Sequence, residues 1–405
     1  MDFPGLSASL LCQLRAAAAA AGTRVALVGG AVRDLLLHRV HRDPWRGVPD
    51  LDLVVEGRAS DLVLHLRRQL PSGSLRAVLE HGAYGTVELE LVLEGRPWLL
   101  DVASARRETY PVPGKNPQVT LGSLADDLAR RDFSINAIAL DLNTGHLLDP
   151  HGGQEDLEHR RLRLLHPTSV RDDPTRLVRG ARYAARLGFV LEPGSVSQAR
   201  RTLADWPWPW RMGDPSGQAP AALGTRLRME LELLLEREPW PAALAAMQQW
   251  GALELLDRRL QADHRWFRRL IWAGRLGVPR IVALVAGAER PLALAERLQL
   301  PHRQHRLLAQ WLALRQHLPG RGDALSVPEW CALLEGPGYG PEAAALALVS
   351  GDGPRRPLLR WFLRWRWLRS PVRAEELIER GLRPGPALGA ELGRLRADRL
   401  ASERP

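Results

Sequence analysis

Leu27-Val-Gly-Gly-Ala-Val-Arg-Asp34 closes a β-rich run, Arg24 to Val28, and opens a helical one. One helix later Asp50-Leu-Asp52 leads into a second β-rich run, Leu51 to Val55. Paired glycines between a strand and a helix let the backbone approach an anion closely. The helix start offers free N–H groups, and Arg33 reaches the same anion. The spacing is neither G-x-G-x-x-G nor a Walker loop, which excludes dinucleotide and P-loop readings. On a strand, residues i and i+2 point to the same side, so Asp50 and Asp52 project together. Two adjacent anions repel unless a divalent cation bridges them, and a phosphate cradle beside a metal pair is how phosphoryl transfer is assembled.

Outward from this core the β signal continues through Thr86 to Leu93, which alternates strictly as a half-buried antiparallel strand should. Two more runs follow, Trp98 to Ala103 and Ile138 to Leu142. Asp101, after an apolar run, is a candidate third carboxylate. After Asp149 helical spacing of Leu, Ala and Arg dominates, broken by the Trp206–Gly217 segment and more weakly near Pro319–Asp323 and Gly351–Pro357. The fold expected is an α+β head with a mixed sheet, followed by an all-α neck, body and tail. The boundaries expected are 1–150 for the head, 151–240 for the neck and 241–405 for the body and tail.

Composition narrows the functional classes. The 405-residue chain carries a formal net charge of +10, and Lys115 is its only lysine. A GC-rich genome accounts for most of the preference for arginine, while the net charge itself suits a polyanionic partner. Cys12 and Cys331 form no C-x-x-C pair, the histidines show no zinc spacing, and a reducing cytoplasm is expected. Leu10 to Ala21, interrupted by Arg15 and lacking a basic leader, reads as a first helix and not a signal peptide; no run is long enough to span a membrane.

Two further segments are dense in polar groups. In Asp126-Asp-Leu-Ala-Arg-Arg-Asp-Phe-Ser-Ile-Asn-Ala, Arg130 and Arg131 are candidate phosphate clamps. Asp132 and Asn136, spaced i, i+4 on one helical face, are candidates to hold ribose hydroxyls or the arginines themselves. On a helix starting near Asp173, the side chains of Asp173, Arg176, Arg179, Arg182 and Arg186 share about half of the circumference. One acceptor beside several forked donors can read the Watson–Crick edge of a base while holding phosphates. Arg226 and Glu230, also i, i+4, read as a structural pair. Leu35 to Pro49, with Arg39, His41, Arg42 and Arg46, reads as a basic surface loop.

Taken in order, Leu27–Asp34, Asp50-Leu-Asp52 with Arg130-Arg-Asp-Phe-Ser-Ile-Asn-Ala, Asp149-Pro-His-Gly-Gly-Gln-Glu-Asp-Leu157, Asp172–Phe189 and Arg226-Leu-Arg-Met-Glu230 resemble the successive motifs of the class II CCA-adding tRNA nucleotidyltransferase and bacterial poly(A) polymerase family. The neck motif departs from the family's usual Glu-Asp start, with Asp172-Asp173 in its place. The resemblance implies template-independent addition of CTP and ATP to the tRNA 3′ end, with pyrophosphate released by a two-metal mechanism. Asp50 and Asp52 would hold Mg²⁺, with Asp101 as the third catalytic carboxylate. Gly29, Gly30, Arg33, Arg130, Arg131, Asp132 and Asn136 would bind the nucleotide, Asp173 and Arg176 would choose the base, and Arg179 and Arg182 would support base or triphosphate. CC-only members have a shortened loop before the Arg-Arg-Asp motif. Here Arg106 to Asp127 is full length, which favours CCA or A-only addition, with poly(A) addition as a further alternative. From other classes, a non-catalytic RNA-binding protein on the same fold and an RNA-independent nucleotide sensor or hydrolase are also open.

Overall fold

The computed structural model describes residues 7–47, 51–81, 85–318 and 325–403. Asp50 and the break expected near Pro319–Asp323 lie outside the described residues. Contacts divide the chain into two compact units, one of residues 1–211 with 220–252 and one of 212–219 with 253–405.

The first unit begins with α1 (Ala8–Ala21), capped by the Ser7 hydroxyl, which accepts from the Leu10 N–H, and closed by Gly22. Then come β1 (Val25–Val28), α2 (Gly30–Arg39), β2 (Leu51–Val55), α3 (Ala59–Gln69), β3 (Leu75–His81), β4 (Thr86–Leu93) and β5 (Arg96–Ser104). A small hairpin, β6 (Arg106–Thr109) with β7 (Gln118–Leu121), precedes α4 (Leu124–Ala129), a 3₁₀ turn (Ser134–Asn136), β8 (Ala139–Asp141) and β9 (Leu147–Leu148). Seven strands form one sheet in the order β3-β4-β5-β2-β1-β8-β9. Only the β2–β5 pair within it is parallel, so the sheet is mixed, as expected.

β4 justifies its alternation: Val87, Leu89, Leu91 and Leu93 are buried while Glu88 and Glu90 face out. Val28, Val54, Leu124 and Leu128 pack into a small core beneath the β1–α2 turn, and burying each such side chain stabilises the head by about 1.5–3 kcal/mol. The segment read as a basic loop is only partly one. Leu35 to Arg39 continue α2, and beyond them a buried Asp43 accepts hydrogen bonds from Arg160 (Nη1 to Oδ2, 2.9 Å) and Arg46 (3.3 Å). An acid within the stretch, invisible when only its positive charges are counted, ties it down.

The chain then turns helical: α5 (Gly153–Glu158), the short β10 (Arg161–Leu162), α6 (Ser169–Asp172), α7 (Thr175–Leu187), β11 (Val190–Leu191), α8 (Pro193–Asp205), α9 (Thr225–Arg237) and α10 (Trp240–Trp250). The expected helix near Asp173 therefore begins two residues later. Asp173 is extended (φ −142°, ψ 97°) at the junction of α6 and α7, because Pro174 disfavours a helical conformation in the residue before it. α7 sits close against the head because Gly180 carries no side chain, and a Cβ there would lie 2.7 Å from Phe133 Cζ.

The regular structure of the second unit's described part is almost entirely helical. It comprises α11 (Arg258–Ala262), α12 (Trp266–Arg275), α13 (Arg280–Val285), α14 (Pro291–Arg297), α15 (His302–His317), α16 (Val327–Leu334), α17 (Pro341–Ser350), α18 (Arg355–Leu363), α19 (Ala374–Glu379) and α20 (Pro386–Ala401). Trp311, Trp330, Trp361 and Trp365 are its largest fully buried side chains. No described helix is long and apolar enough to cross a membrane.

Candidate active site

A cleft of about 1270 Å³ in the first unit gathers the described residues that the sequence singled out. At one end, β1 stops at Gly29, whose backbone (φ +70°, ψ −135°) lies where L side chains are strained, and α2 starts at the next residue. A Cβ on Gly29 would stand 3.1 Å from Asp52 Oδ2 and 3.2 Å from Arg131 Nη1. The Gly-Gly turn thus brings backbone, carboxylate and guanidinium to one point. Gly29→Ala is expected to lower kcat/KM about 10- to 100-fold through about 1–3 kcal/mol of strain and the displacement of Asp52. Steady-state kinetics beside a thermal melt would check it, and full activity would show that the close approach is dispensable.

Asp52 on β2 and Asp101 on β5 are direct partners in the parallel register, and Glu88 on β4 is the partner of Asp101. All three border the cleft. Laterally paired residues share a face, so the sheet presents a row of carboxylates. Among the described residues no three acidic, histidine or cysteine side chains gather as a metal-holding group. The pair Asp52 and Asp101 still supplies the hard oxygen donors that suit Mg²⁺. Beside them Arg131 Nε is buried with no hydrogen-bond partner among the described residues, a donor left for an anion.

Arg33 is almost fully buried. Its guanidinium donates to Asp34 (Nε to Oδ1, 2.9 Å) and to Asn136 Oδ1 (2.9 Å), and lies 5.4 Å from the centre of the Tyr183 ring. Arg130 and Arg131 are held by a fully buried Asp127: Arg130 Nη2 donates to its Oδ1 (2.7 Å) and Arg131 Nη2 to its Oδ2 (3.0 Å). Arg130 also donates to Glu108 (3.0 Å), which accepts from the Tyr110 hydroxyl (3.0 Å). Burial and the nearby Glu108 carboxylate push the Tyr110 phenol well above its ordinary value.

Asp132 and Asn136 meet, but not on an α-helical face. α4 ends at Ala129, and Asn136 reaches back from the 3₁₀ turn to donate to Asp132 Oδ1 (3.0 Å). Asp132 Oδ2 accepts from Arg179 Nε (2.8 Å). Burial alone would raise this carboxyl, but the charge of Arg179 and the bonds from Asn136 and Arg179 hold it at about 2, against 3.8 for a free aspartate. A depressed folded-state pKa contributes stability that is complete above the unfolded value and fades as pH falls through the folded one. The roughly two-unit shift corresponds to about 2 kcal/mol lost between pH 4 and 2. Urea midpoints at pH 5, 3.5 and 2.5 are expected to fall less steeply in Asp132→Asn than in the parent. Parallel slopes would contradict the coupling.

At the other end of the cleft, Asp173 Oδ1 accepts from the Thr175 N–H (3.0 Å) and hydroxyl (2.6 Å), and Oδ2 lies 3.3 Å from Arg226 Nη1. Arg176 donates to the Arg130 carbonyl (3.0 Å). Arg226 and Glu230 do not pair as their spacing suggested. Arg226 turns to Asp173, and Glu230 takes Arg179 (3.2 Å) and Arg182 from the facing α7. Glu238 takes Arg182 (3.3 Å) and Arg186. The cleft-side roles of Arg226, Glu230, Tyr110 and Glu108, and the support given by Asp127 and Glu238, were not found in the sequence. The available signals were the i, i+3 and i, i+4 spacing of Asp127 to Arg130 and Arg131, and two acids eight residues apart opposite three arginines.

Residues 25–163 match the family model of the poly A polymerase head domain. The chain is 34% identical over 388 residues to the CC-adding tRNA nucleotidyltransferase of Deinococcus radiodurans, covering 92% of this chain and 84% of that one. It is 33% identical over 292 residues to the A-adding tRNA nucleotidyltransferase of Aquifex aeolicus, covering 64% of this chain and about a third (32%) of that one. The Thermotoga maritima CCA-adding enzyme, solved in complex with tRNA, shares the fold with a TM-score of 0.69 at 24% identity, covering 98% of this chain and 92% of that one. At 34% identity over 92% of its length to one nucleotidyltransferase, with residues 25–163 matching the head-domain model, the chain belongs to the tRNA nucleotidyltransferase family.

Proposed function

We propose that this enzyme extends the 3′ end of tRNA with nucleotides from CTP and ATP, without a nucleic-acid template, releasing pyrophosphate. The observation that carries the reading is one cleft with paired carboxylates at one end and Asp173 with Arg176 at the other. A cleft so lined suits a nucleoside triphosphate lying with its phosphates toward Gly29 and its base toward the neck. The proposed functional division is a catalytic head at 1–150, a neck at 151–240 that selects nucleotide and binds RNA, and a body and tail at 241–405, with the helical remainder gripping tRNA by shape and phosphates.

Nucleotidyltransferases of this family generally use divalent metal ions. Asp52 and Asp101, together with Asp50, would hold Mg²⁺. When bound, Mg²⁺ would lower the pKa of the attacking 3′-hydroxyl and neutralise charge on the departing pyrophosphate. The chain's own groups do the positioning. Gly30 and the N-terminus of α2 approach the triphosphate, Arg33 and Arg131 offer donors to it, and Arg130 with Asp132 and Asn136 fixes the ribose end. Asp173 accepts from the base, Arg176 donates to it, and Arg179 and Arg182 keep the neck face in register. The free thiols of Cys12 and Cys331 suit work in the cytoplasm.

A second reading, CC-only addition, is favoured by the near full-length match to a CC-adding enzyme. Against it stands the full hairpin of β6 and β7, whose connecting segment supplies Tyr110 and Asn116 to the cleft. Offering transcripts that end before CCA, after C and after CC, each with CTP, ATP or both, separates the readings. Full CCA activity extends all three, CC-only activity never uses ATP, and A-only activity extends only the last. Uptake of many AMP residues marks poly(A) addition. Binding without incorporation would leave the RNA-binding alternative, and nucleotide turnover without RNA the hydrolase.

A further inference from the structure

We propose that a cavity of about 360 Å³ in the second unit, between α12, α17 and α18, binds a phosphate group. Arg265, Arg268, Arg269 and Arg355 line it, and none of its described lining residues is acidic. Arg269 is buried and committed, donating to the Ala283 carbonyl (2.7 Å) and pairing with Asp263 (2.7 Å), whose carboxylate borders a neighbouring cavity. Its three companions differ. Arg265, Arg268 and Arg355 are exposed and make no ion pair with a carboxylate among the described residues. The Arg355 guanidinium lies 5.4 Å from the centre of the Trp272 ring, which holds it over the cavity. Ser350, which lines this cavity and its neighbour, has a buried Oγ with no hydrogen-bond partner among the described residues, so a donor is left over beside the arginines.

Asp263 and Asp352, on the neighbouring cavity, offset the charge of Arg269, but Arg265, Arg268 and Arg355 have no such partner among the described residues and repel each other until an anion enters. Forked guanidiniums with a hydroxyl match the several acceptor oxygens of a phosphate. Two sources carry that group: the RNA backbone, which the proposed function makes the expected one, and a free nucleotide. The inference rests on the proposed function only for that choice of source. It is read by binding alone, so an enzyme that binds tRNA but fails to incorporate nucleotide would overturn the proposed function and leave this site standing.

The test uses the full-length chain carrying Arg268→Ala with Arg355→Ala, and a second form with Arg268→Lys and Arg355→Lys. Probes are a tRNA transcript ending before CCA, ATP and inorganic phosphate, at several salt concentrations. The alanine form is expected to bind the transcript roughly tenfold more weakly, with a salt slope shallower by about one, because one phosphate contact is lost. The lysine form, charged but without forks, should fall between it and the parent. An unchanged thermal midpoint shows that the exposed substitutions leave the fold intact. If tRNA affinity holds but one equivalent of ATP binding, competed by phosphate in the parent, disappears, the site stands with a free nucleotide as its source. Unaltered binding of all three probes would overturn it.

Discussion

Replacing Asp52 with asparagine is expected to lower nucleotide incorporation by about 10³-fold or more while leaving tRNA affinity within about twofold. The substitution keeps volume and shape and removes one negative charge from the row in which Asp52 and Asp101 are register partners. In the proposed mechanism that charge is needed only to hold Mg²⁺, so the loss should appear in kcat and in a raised Mg²⁺ requirement. Asp101→Asn should behave alike. Gel assays of primer extension over a range of Mg²⁺, with filter binding of tRNA, separate chemistry from binding. Retained turnover in Asp52→Asn would remove the metal assignment.

The second large effect concerns which base is accepted. Cytosine and adenine each carry an exocyclic amino group beside a ring nitrogen, whereas uracil presents a carbonyl in place of the amino group. In the proposed function a carboxylate at Asp173 would accept from the first two and repel the third, and Arg176 would donate to the ring nitrogen. Sites built to hydrogen-bond a substrate reject analogues that leave their polar groups unpaired. Asp173→Ala is therefore expected to narrow the preference for CTP over UTP by about 10²-fold, with incorporation of the wrong base rising as the correct one falls. Asp173→Asn, whose amide can still turn its oxygen to the base, should lie between. Competition between labelled nucleotides on one transcript measures this directly, and an unchanged preference would move base selection elsewhere.

Much of this architecture could be read from residues alone where periodicity is strong. β4 alternates because one face is buried, and the Gly-Gly turn between β1 and α2 was evident from its flanks. β3 escaped notice because, beyond its intermediate first residue, every position is exposed, so burial imprints no pattern on it. β10 and β11 are two residues each, too short for any period. The site was legible as a collection of side chains and much less as a network. Spacing rules see neighbours along one helix, so Glu230 was matched with Arg226 four residues before it; its partners Arg179 and Arg182 lie about fifty residues away on α7. Asp132 and Asn136 do touch, through a 3₁₀ turn that brings them together as a helix would have.

Along α7, Glu230 and Glu238 each serve two arginines, and Arg179 and Arg182 each serve two acids, so that Asp132, Arg179, Glu230, Arg182, Glu238 and Arg186 alternate like teeth of a zip fastener. Changing any of the four inner teeth leaves two opposite charges seeking new company, and changing either end leaves one. Effects of single substitutions there should therefore fail to sum, and paired changes of opposite sign should be better tolerated than either alone.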